Sequence, residues 1–281
     1  MRVTKMHGCG NDYIYVRPAE ERDWSEVARR VSDRHFGVGS DGLILALPSS
    51  RADLRMRMFN ADGSEAEMCG NGIRCLAKYA IEEGMVPADL ETVRIETLAG
   101  VLTLQLFREN GIVTAARVDM GRPSFDPGSL PANVPGPGPV IDHPLEVEGV
   151  PLKLTLVSVG NPHAIHYIDY DPSEFPLTTV GPAVEHHPLF PRRTNFQVVQ
   201  VLDAGHVRHR VWERGSGETL ASGTSASAVC AVSRLRGFTG DRIVDSLPGG
   251  DLVLEWDGAG SVFMTGPAER VFEAEWHESA V

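Results

Sequence analysis

The chain has 281 residues, 42% hydrophobic and 23% charged, with a formal net charge of −12. That length and apolar content suit one large or two medium domains with a sizeable core. The acidic balance argues against non-specific binding to nucleic acid or an anionic membrane, and no apolar run approaches the roughly 18 residues of a membrane helix. The start, Met1 to His7, has no apolar signal core, so the cytoplasm is the expected location. Four cysteines (Cys9, Cys69, Cys75, Cys230) are too few for a disulfide scaffold. Cys69 and Cys75 stand six apart, which matches no zinc pattern, so no metal is expected and the thiols read as free.

The first half opens with an alternating run around Ile14-Tyr15-Val16. A helix is predicted from Trp24 to Val31, with Asp23 or Ser25 as its cap. Strand-like stretches follow at Leu43–Leu47 and Leu54–Phe59. Helical spacing of Ile73, Leu76, Ala77 and Ala80 marks 72–83 as a helix that Gly84 ends. Strands at Thr92–Glu96 and Val101–Phe107 lead to a turn at Glu109-Asn110-Gly111 and a run through Ile112–Val118. The stretch Gly121–Pro144 is rich in proline and suits a crossover between domains.

The second half repeats the order. Strand runs fall at Leu152–Val159, Ala164–Ile168, Phe196–Leu202 and Val207–Trp212, and a helix is predicted from Thr224 to about Arg236. Strands follow around Ile243-Val244, Leu252–Trp256 and Val262–Met264, with a turn at Gly258-Ala259-Gly260. The polar loops echo one another as well. Asn60, Glu65 and Cys69 each lie 153 positions before Glu213, Glu218 and Ser222, and Gly10-Asn11 lies 150 before Gly160-Asn161. The expected fold is therefore α+β: two pseudo-symmetric domains, 1–120 and 121–281, each strand-rich around a central helix.

Each copy of the loop puts a polar side chain and open backbone N–H groups at a helix start. Two such starts facing one another would hold a ligand between reactive groups on both sides. Cys69 opens its helix among small residues, and a helix N-terminus favours a thiolate. The N–H groups of Gly70, Asn71 and Gly72 suit a carboxylate. Ser222-Gly223-Thr224-Ser225 is the matching start: an ordinary N-cap, or a second cradle and a second acid/base position. Serine is a poor base alone, and Glu213, Glu218 and His163 are its available partners. Asn11, Asn60, Asn71, Asn161, Asn195 and Arg214 each read singly as turn residues. Together they would satisfy a zwitterionic ligand, with Arg214 suited to a carboxylate. Cys75 and Cys230 read as core, Cys9 is unassigned, and His186-His187 reads as a solvated loop. No nucleotide-binding glycine motif is present.

Over nearly its whole length the chain resembles the diaminopimelate epimerase family. The likeness is carried by Lys5-Met6-His7-Gly8 with Gly10-Asn11-Asp12, and by Phe59 to Ser64 with Cys69-Gly70-Asn71-Gly72-Ile73-Arg74-Cys75. Gly160-Asn161-Pro162-His163, Thr194-Asn195, Glu213-Arg214-Gly215 and Gly217-Glu218-Thr219 complete it. The resemblance implies two domains, each a mixed sheet wrapped around a central helix, with a last strand after about Pro267 returning to the first domain. It implies an active site in the cleft between them, a homodimer, and no cofactor. Its reaction is LL-to-meso epimerisation of diaminopimelate in lysine biosynthesis, by two cysteines on opposite faces of the α-carbon. Carried over by position, Cys69 is one acid/base group. Asn11, Asn60, Asn161, Asn195 and Arg214 hold the substrate, Gly70-Asn71 and Gly223-Thr224 cradle its carboxylate, and His163 and Glu213 tune the pair.

Ser222 departs from the pattern, because the family has its second cysteine there. An introduced Cys→Ser change, a natural variant helped by Glu213 or another base, or a shift to one-base chemistry or another amino acid would each account for it. The expectation is a weakened epimerase. The alternatives are a racemase of another amino acid such as histidine, and a catalytically silent binder of diaminopimelate-like ligands.

Overall fold

The structure, a computed structural model, describes residues 1–277 and divides the chain into two units. One is Met1–Val118 with the chain from Thr265; the other is Asp119–Met264.

The first unit contains β1 (Arg2–Gly8), β2 (Asn11–Val16), α1 (Trp24–Ser32), β3 (Gly42–Leu47), β4 (Leu54–Asn60), β5 (Glu65–Ala66), α2 (Gly70–Glu82), β6 (Thr92–Thr97), β7 (Gly100–Glu109) and β8 (Ile112–Asp119). β2 pairs in parallel with β3, and β4 in parallel with β6, while β1–β2, β3–β4, β4–β5, β6–β7 and β7–β8 are antiparallel. The β7–β8 turn is the expected one: Asn110 (φ 51°) and Gly111 (φ 83°) both take the left-handed conformation that a tight two-residue hairpin demands.

Two helices cover the two faces of these strands. Ile14, Val16, Leu43 and Leu45 pack with Trp24, Val27, Ala28 and Val31 of α1, whose first turn is capped by the Asp23 side chain accepting from Glu26 N–H. On the other face Tyr15 donates to the Gly72 carbonyl of α2 at 2.9 Å. Strands buried on both faces read as continuous apolar runs, which is why β3 reads Leu43-Ile44-Leu45-Ala46. α2 packs on β1, β2, β3, β6 and β7, and every residue from Gly70 to Ala80 is buried, so it is wrapped by strands. It ends at Gly84 (φ 62°), where Met85 N–H returns to the Ala80 carbonyl.

The second unit contains β9 (His143–Val147), β10 (Val150–Ser158), β11 (Pro162–Ile168), α3 (Leu177–Glu185), β12 (Asn195–Asp203), β13 (His206–Glu213), β14 (Gly217–Thr219), α4 (Gly223–Leu235), β15 (Arg242–Leu247) and β16 (Gly250–Glu255). β17 (Phe263–Pro267) crosses the boundary, and β18 (Glu269–Glu275) pairs antiparallel with β1 inside the first unit. The pairing scheme repeats: β11–β12 and β13–β15 are parallel, β10–β11, β12–β13, β13–β14 and β15–β16 antiparallel. Register repeats as well. Tyr13 faces Gly42 as His163 faces Asn195, and Phe59 faces Glu65 as Trp212 faces Glu218. α4 packs on β10, β11, β12, β15 and β16, with Gly223 and Ser225 to Ser233 buried.

Two features differ from the sequence reading. α3 carries two threonines, a glycine and Pro182, all poor helix formers, and its cap residue Pro176 has no side-chain bond. Burial of Leu177, Val180 and Val184 against Leu154, Leu156 and Phe196 overrides that propensity. The proline-rich stretch is not a bare linker. Leu130 is in the second unit's core, with Ala132, Val134 and Val140 packed against it.

Candidate active site

The chemistry-bearing side chains gather at the N-termini of α2 and α4, one group in each unit. Cys69 and Ser222 are the N-caps, with nearly identical extended backbones (φ −134°, ψ 123° and φ −140°, ψ 118°). Each heteroatom accepts from the N–H three residues on, Gly72 to Sγ and Ser225 to Oγ, both at 3.4 Å. Inside each helix the N–H groups of Gly70 and Gly223 have no carbonyl four residues back, so both tips present donors and the positive end of the helix dipole. A Cβ at Gly72 would lie 2.5 Å from Ile44 Cδ1, so any larger residue there would displace the end of that side chain.

In the first unit, the Cys69 thiol donates to Asn11 Oδ1 at 3.4 Å, and Asn71 Nδ2 donates to the same oxygen at 3.3 Å. Asn11 Nδ2 in turn donates to Asp41 Oδ2 at 2.7 Å, which fixes which way the amide points. Asp41 also accepts from Asp12 N–H and from Arg34. Burial and the nearby Asp12 charge push the Asp41 carboxyl up. Burial pushes Asp12 up as well, but bonds from Arg34 and Lys5 outweigh it and hold that carboxyl below the usual range. Asn60 stays within its own turn, donating to Ser64 Oγ at 3.0 Å. Cys75 is wholly buried and its thiol is pushed up to about 11, so it stays protonated as core. Burial does the same to Cys230, up to about 12.

In the second unit, the Ser222 hydroxyl donates to Glu213 Oε2 at 2.8 Å, and Thr219 donates to Oε1 at 2.6 Å. Of the three partners the sequence offered, the structure pairs Ser222 with Glu213. Glu218 is held by Arg210 instead. His163 is buried, with Nε2–H donating to Asn161 Oδ1 at 2.8 Å and Nδ1 accepting from Gln197 Nε2 at 2.7 Å. Burial, reinforced by the charges of His209 and Arg214, lowers its pKa to about 3, so the ring is neutral in the physiological range. Asn161 Nδ2 reaches Thr224 Oγ1 at 3.4 Å, which ties His163 to the helix tip through one amide. Asn195 donates to the Pro162 carbonyl at 2.8 Å and accepts Arg214 N–H at 2.9 Å, so it anchors the backbone on either side of it. The Arg214 side chain is exposed, its Nη1 donating to the Arg192 carbonyl.

The sequence reading passed over Asp41, Thr219 and Gln197. Asp41 sits in Gly39-Ser40-Asp41-Gly42, which reads as an ordinary turn. Gln197 carried a usable signal: it is a polar residue two places after Asn195, so on the same strand face, amid the apolar Phe196, Val198 and Val199.

Solved structures share this architecture. A Bacillus anthracis phenazine biosynthesis protein of the PhzF family aligns with a TM-score of 0.71 at 20% identity, over 98% of both chains. A probable proline racemase from Agrobacterium radiobacter K84 aligns with a TM-score of 0.71 at 16% identity, over 98% of this chain and 92% of that one. The fold class is thus that of PhzF-type and proline-racemase-type proteins, α+β with a central helix in each unit. Within that class, a family model described as diaminopimelate epimerase matches residues 3–125 and 155–271. A diaminopimelate epimerase from Acetivibrio thermocellus is 51% identical over 98% of both chains, and one from Methanococcus maripaludis strain C6 is 50% identical over 98% of this chain and 99% of its own. The chain belongs to the diaminopimelate epimerase family.

Proposed function

We propose that this chain is an isomerase that interconverts LL- and meso-diaminopimelate by moving a proton at the α-carbon, with Cys69 as one acid/base group and Ser222 with Glu213 as the other. Family membership supports the reaction. The observation that carries the serine's role is its 2.8 Å bond to Glu213. An alkoxide is too basic to persist, so serine acts here as a relay. As Ser222 Oγ takes the substrate's α-proton, its own proton passes to Glu213 Oε2; in the reverse direction Glu213 returns it. The proton count closes with two resting forms, a protonated thiol with ionised Glu213, and a thiolate with protonated Glu213.

An ordinary carboxyl titrates about four units below an ordinary thiol, and each unit is worth about 1.4 kcal/mol. The carboxylate relay is therefore a weaker base than a second thiolate, and the form with Cys69 ionised and Glu213 protonated is scarce. Turnover is slow, and exchange from the stereoisomer whose proton meets Ser222 differs from exchange of the other. The donors at both helix tips carry the charge that develops on the reacting carboxylate. Asn11, Asn60, Asn71, Asn161, Asn195 and Arg214 hold the polar groups of the substrate, and neutral His163 orients Asn161. A homodimer in the cytoplasm is part of the same proposal and rests on the family resemblance.

The test is deuterium uptake from heavy water with each stereoisomer, in this chain and in Ser222→Cys. Slow, unequal uptake that the substitution raises and evens out supports the reading. Tight binding with no uptake by either protein would make the chain a silent binder, and uptake into histidine but not diaminopimelate would make it a racemase of another amino acid.

A further inference from the structure

Glu185, the last residue of α3, is a buried carboxylate, 3% exposed, that the acid/base scheme above does not use. Its bonds run to both ends of the segment that carries Glu213 and Arg214. Oε2 accepts the indole Nε1–H of Trp212 at 2.8 Å, and Oε1 accepts Gly215 N–H at 2.9 Å and Arg193 Nη1 at 3.4 Å. Trp212 directly precedes Glu213, and Gly215 directly follows Arg214. One turn earlier on α3, a Cβ on Gly181 would come within 2.6 Å of Trp212 Cγ, so the helix backbone lies against the indole.

We propose that Glu185 is a positioning residue that pins the Trp212–Gly215 turn and thereby sets where the Glu213 carboxylate and the Arg214 guanidinium stand. This rests on the roles proposed above for those two residues. The first unit holds its equivalent turn from its equivalent helix with different atoms: Ser25 Oγ donates to the Gly63 carbonyl at 2.6 Å, and Arg29 reaches the Asp62 carbonyl. Both halves thus tie this turn to their own helix, the second through one carboxylate. A carboxylate suits three donors because both of its oxygens accept, whereas an amide offers one acceptor and a donor that clashes with an N–H.

Glu185→Gln therefore sets an amide N–H against either the indole or Gly215 N–H. Calorimetric affinity for diaminopimelate and stereospecific deuterium uptake are the readouts, corrected for folded fraction. We expect uptake from the isomer that meets Ser222, and affinity, to fall roughly ten- to a hundredfold, the scale of a misplaced catalytic group. At saturating substrate, uptake through Cys69 falls much less than uptake through Ser222, a difference that a general loss of stability would not produce. Trp212→Phe, which keeps a ring against Gly181 but removes one donor, shifts the same readouts less and carries the test should Glu185→Gln not fold. Glu185→Gln with Trp212→Phe recovers part of the loss because the donor clash is gone. Glu213→Gln and Arg214→Ala are the controls: if neither changes binding or uptake, the roles of those residues fail regardless of Glu185. If both controls lose function while folded Glu185→Gln and Trp212→Phe bind and exchange as the parent does, the proposal is overturned.

Discussion

Ser222 and Glu213 flank the short strand β14, joined by a 2.8 Å hydrogen bond from hydroxyl to carboxylate. Their counterparts in the first unit are Cys69 and Asn60, and there the amide turns to Ser64 while the thiol bonds to Asn11. The halves therefore share a backbone and differ in how their reactive atom is served. The first unit presents a thiol beside an amide. The second presents a hydroxyl beside a carboxylate.

Replacing Ser222 with cysteine should raise epimerase kcat by about 10²–10⁴, the span of a well-matched acid/base group. The same change should lower stability by about 0.5–2 kcal/mol, because serine is a preferred N-cap and sulfur a weak acceptor. Steady-state kinetics and urea unfolding on the same preparations check both halves. Unchanged kcat would remove Ser222 from the reaction.

Glu213→Gln should abolish most of the exchange that runs through Ser222, since the amide cannot take the relayed proton. With cysteine at position 222 the same substitution should cost much less. The two effects are non-additive by more than about 1.4 kcal/mol, a factor of ten, in a double-mutant cycle. Additive losses would mean that Glu213 acts on something other than the residue-222 hydroxyl.

Much of this was legible in the chain because the repeat writes each element twice. The 153-residue offset between Cys69 and Ser222 is the offset at which Phe59–Glu65 and Trp212–Glu218 pair. Tight turns and caps were legible where one residue decides them, as at Asn110-Gly111 and Asp23. What stayed hidden depends on packing. α3 forms against its own propensities because Leu177, Val180 and Val184 find a core. Asp41 and Glu185 became visible only once folding brought residues distant in sequence into hydrogen-bond range, as with Asn11 to Asp41, 30 apart.

His163 should make stability depend on pH between about 6.5 and 3, and the span from pH 7 to 5 lies above the range where ordinary carboxylates titrate. Its folded pKa is depressed to about 3 from 6.5, mainly by burial. The native state stays neutral while the unfolded chain takes up a proton, so the contribution is complete above about pH 6.5 and is lost as pH falls toward 3. The slope is about 1.4 kcal/mol per pH unit, or about 2 kcal/mol between pH 6.5 and 5. Urea unfolding of the parent and of His163→Gln at pH 7, 6 and 5 isolates it: the difference between the two should shrink steadily with acid. A constant difference would mean that the ring is protonated in the native state.

The buried pair of His209 and Asp245 offers a sharper test, because the first unit fills the same places with apolar side chains. His209 Nδ1–H donates to Asp245 Oδ1 at 2.8 Å with both side chains fully buried. His209 Nε2 and Asp245 Oδ2 make no hydrogen bond among the described residues. Val207 faces Asp245 across β13 and β15 as Leu54 faces Ile95 across β4 and β6, so Met56 and Ile95, both buried, occupy the equivalent places. Breaking the pair leaves a buried polar group without its hydrogen-bond partner, and His209→Met or Asp245→Ile alone should cost about 1–3 kcal/mol. Making both changes imports the apolar solution of the first unit, and should be neutral or stabilising by about 1–4 kcal/mol. Urea unfolding of the three variants decides it: a double variant as unstable as the sum of the singles would show that the pair stabilises the second unit in a way an apolar core cannot.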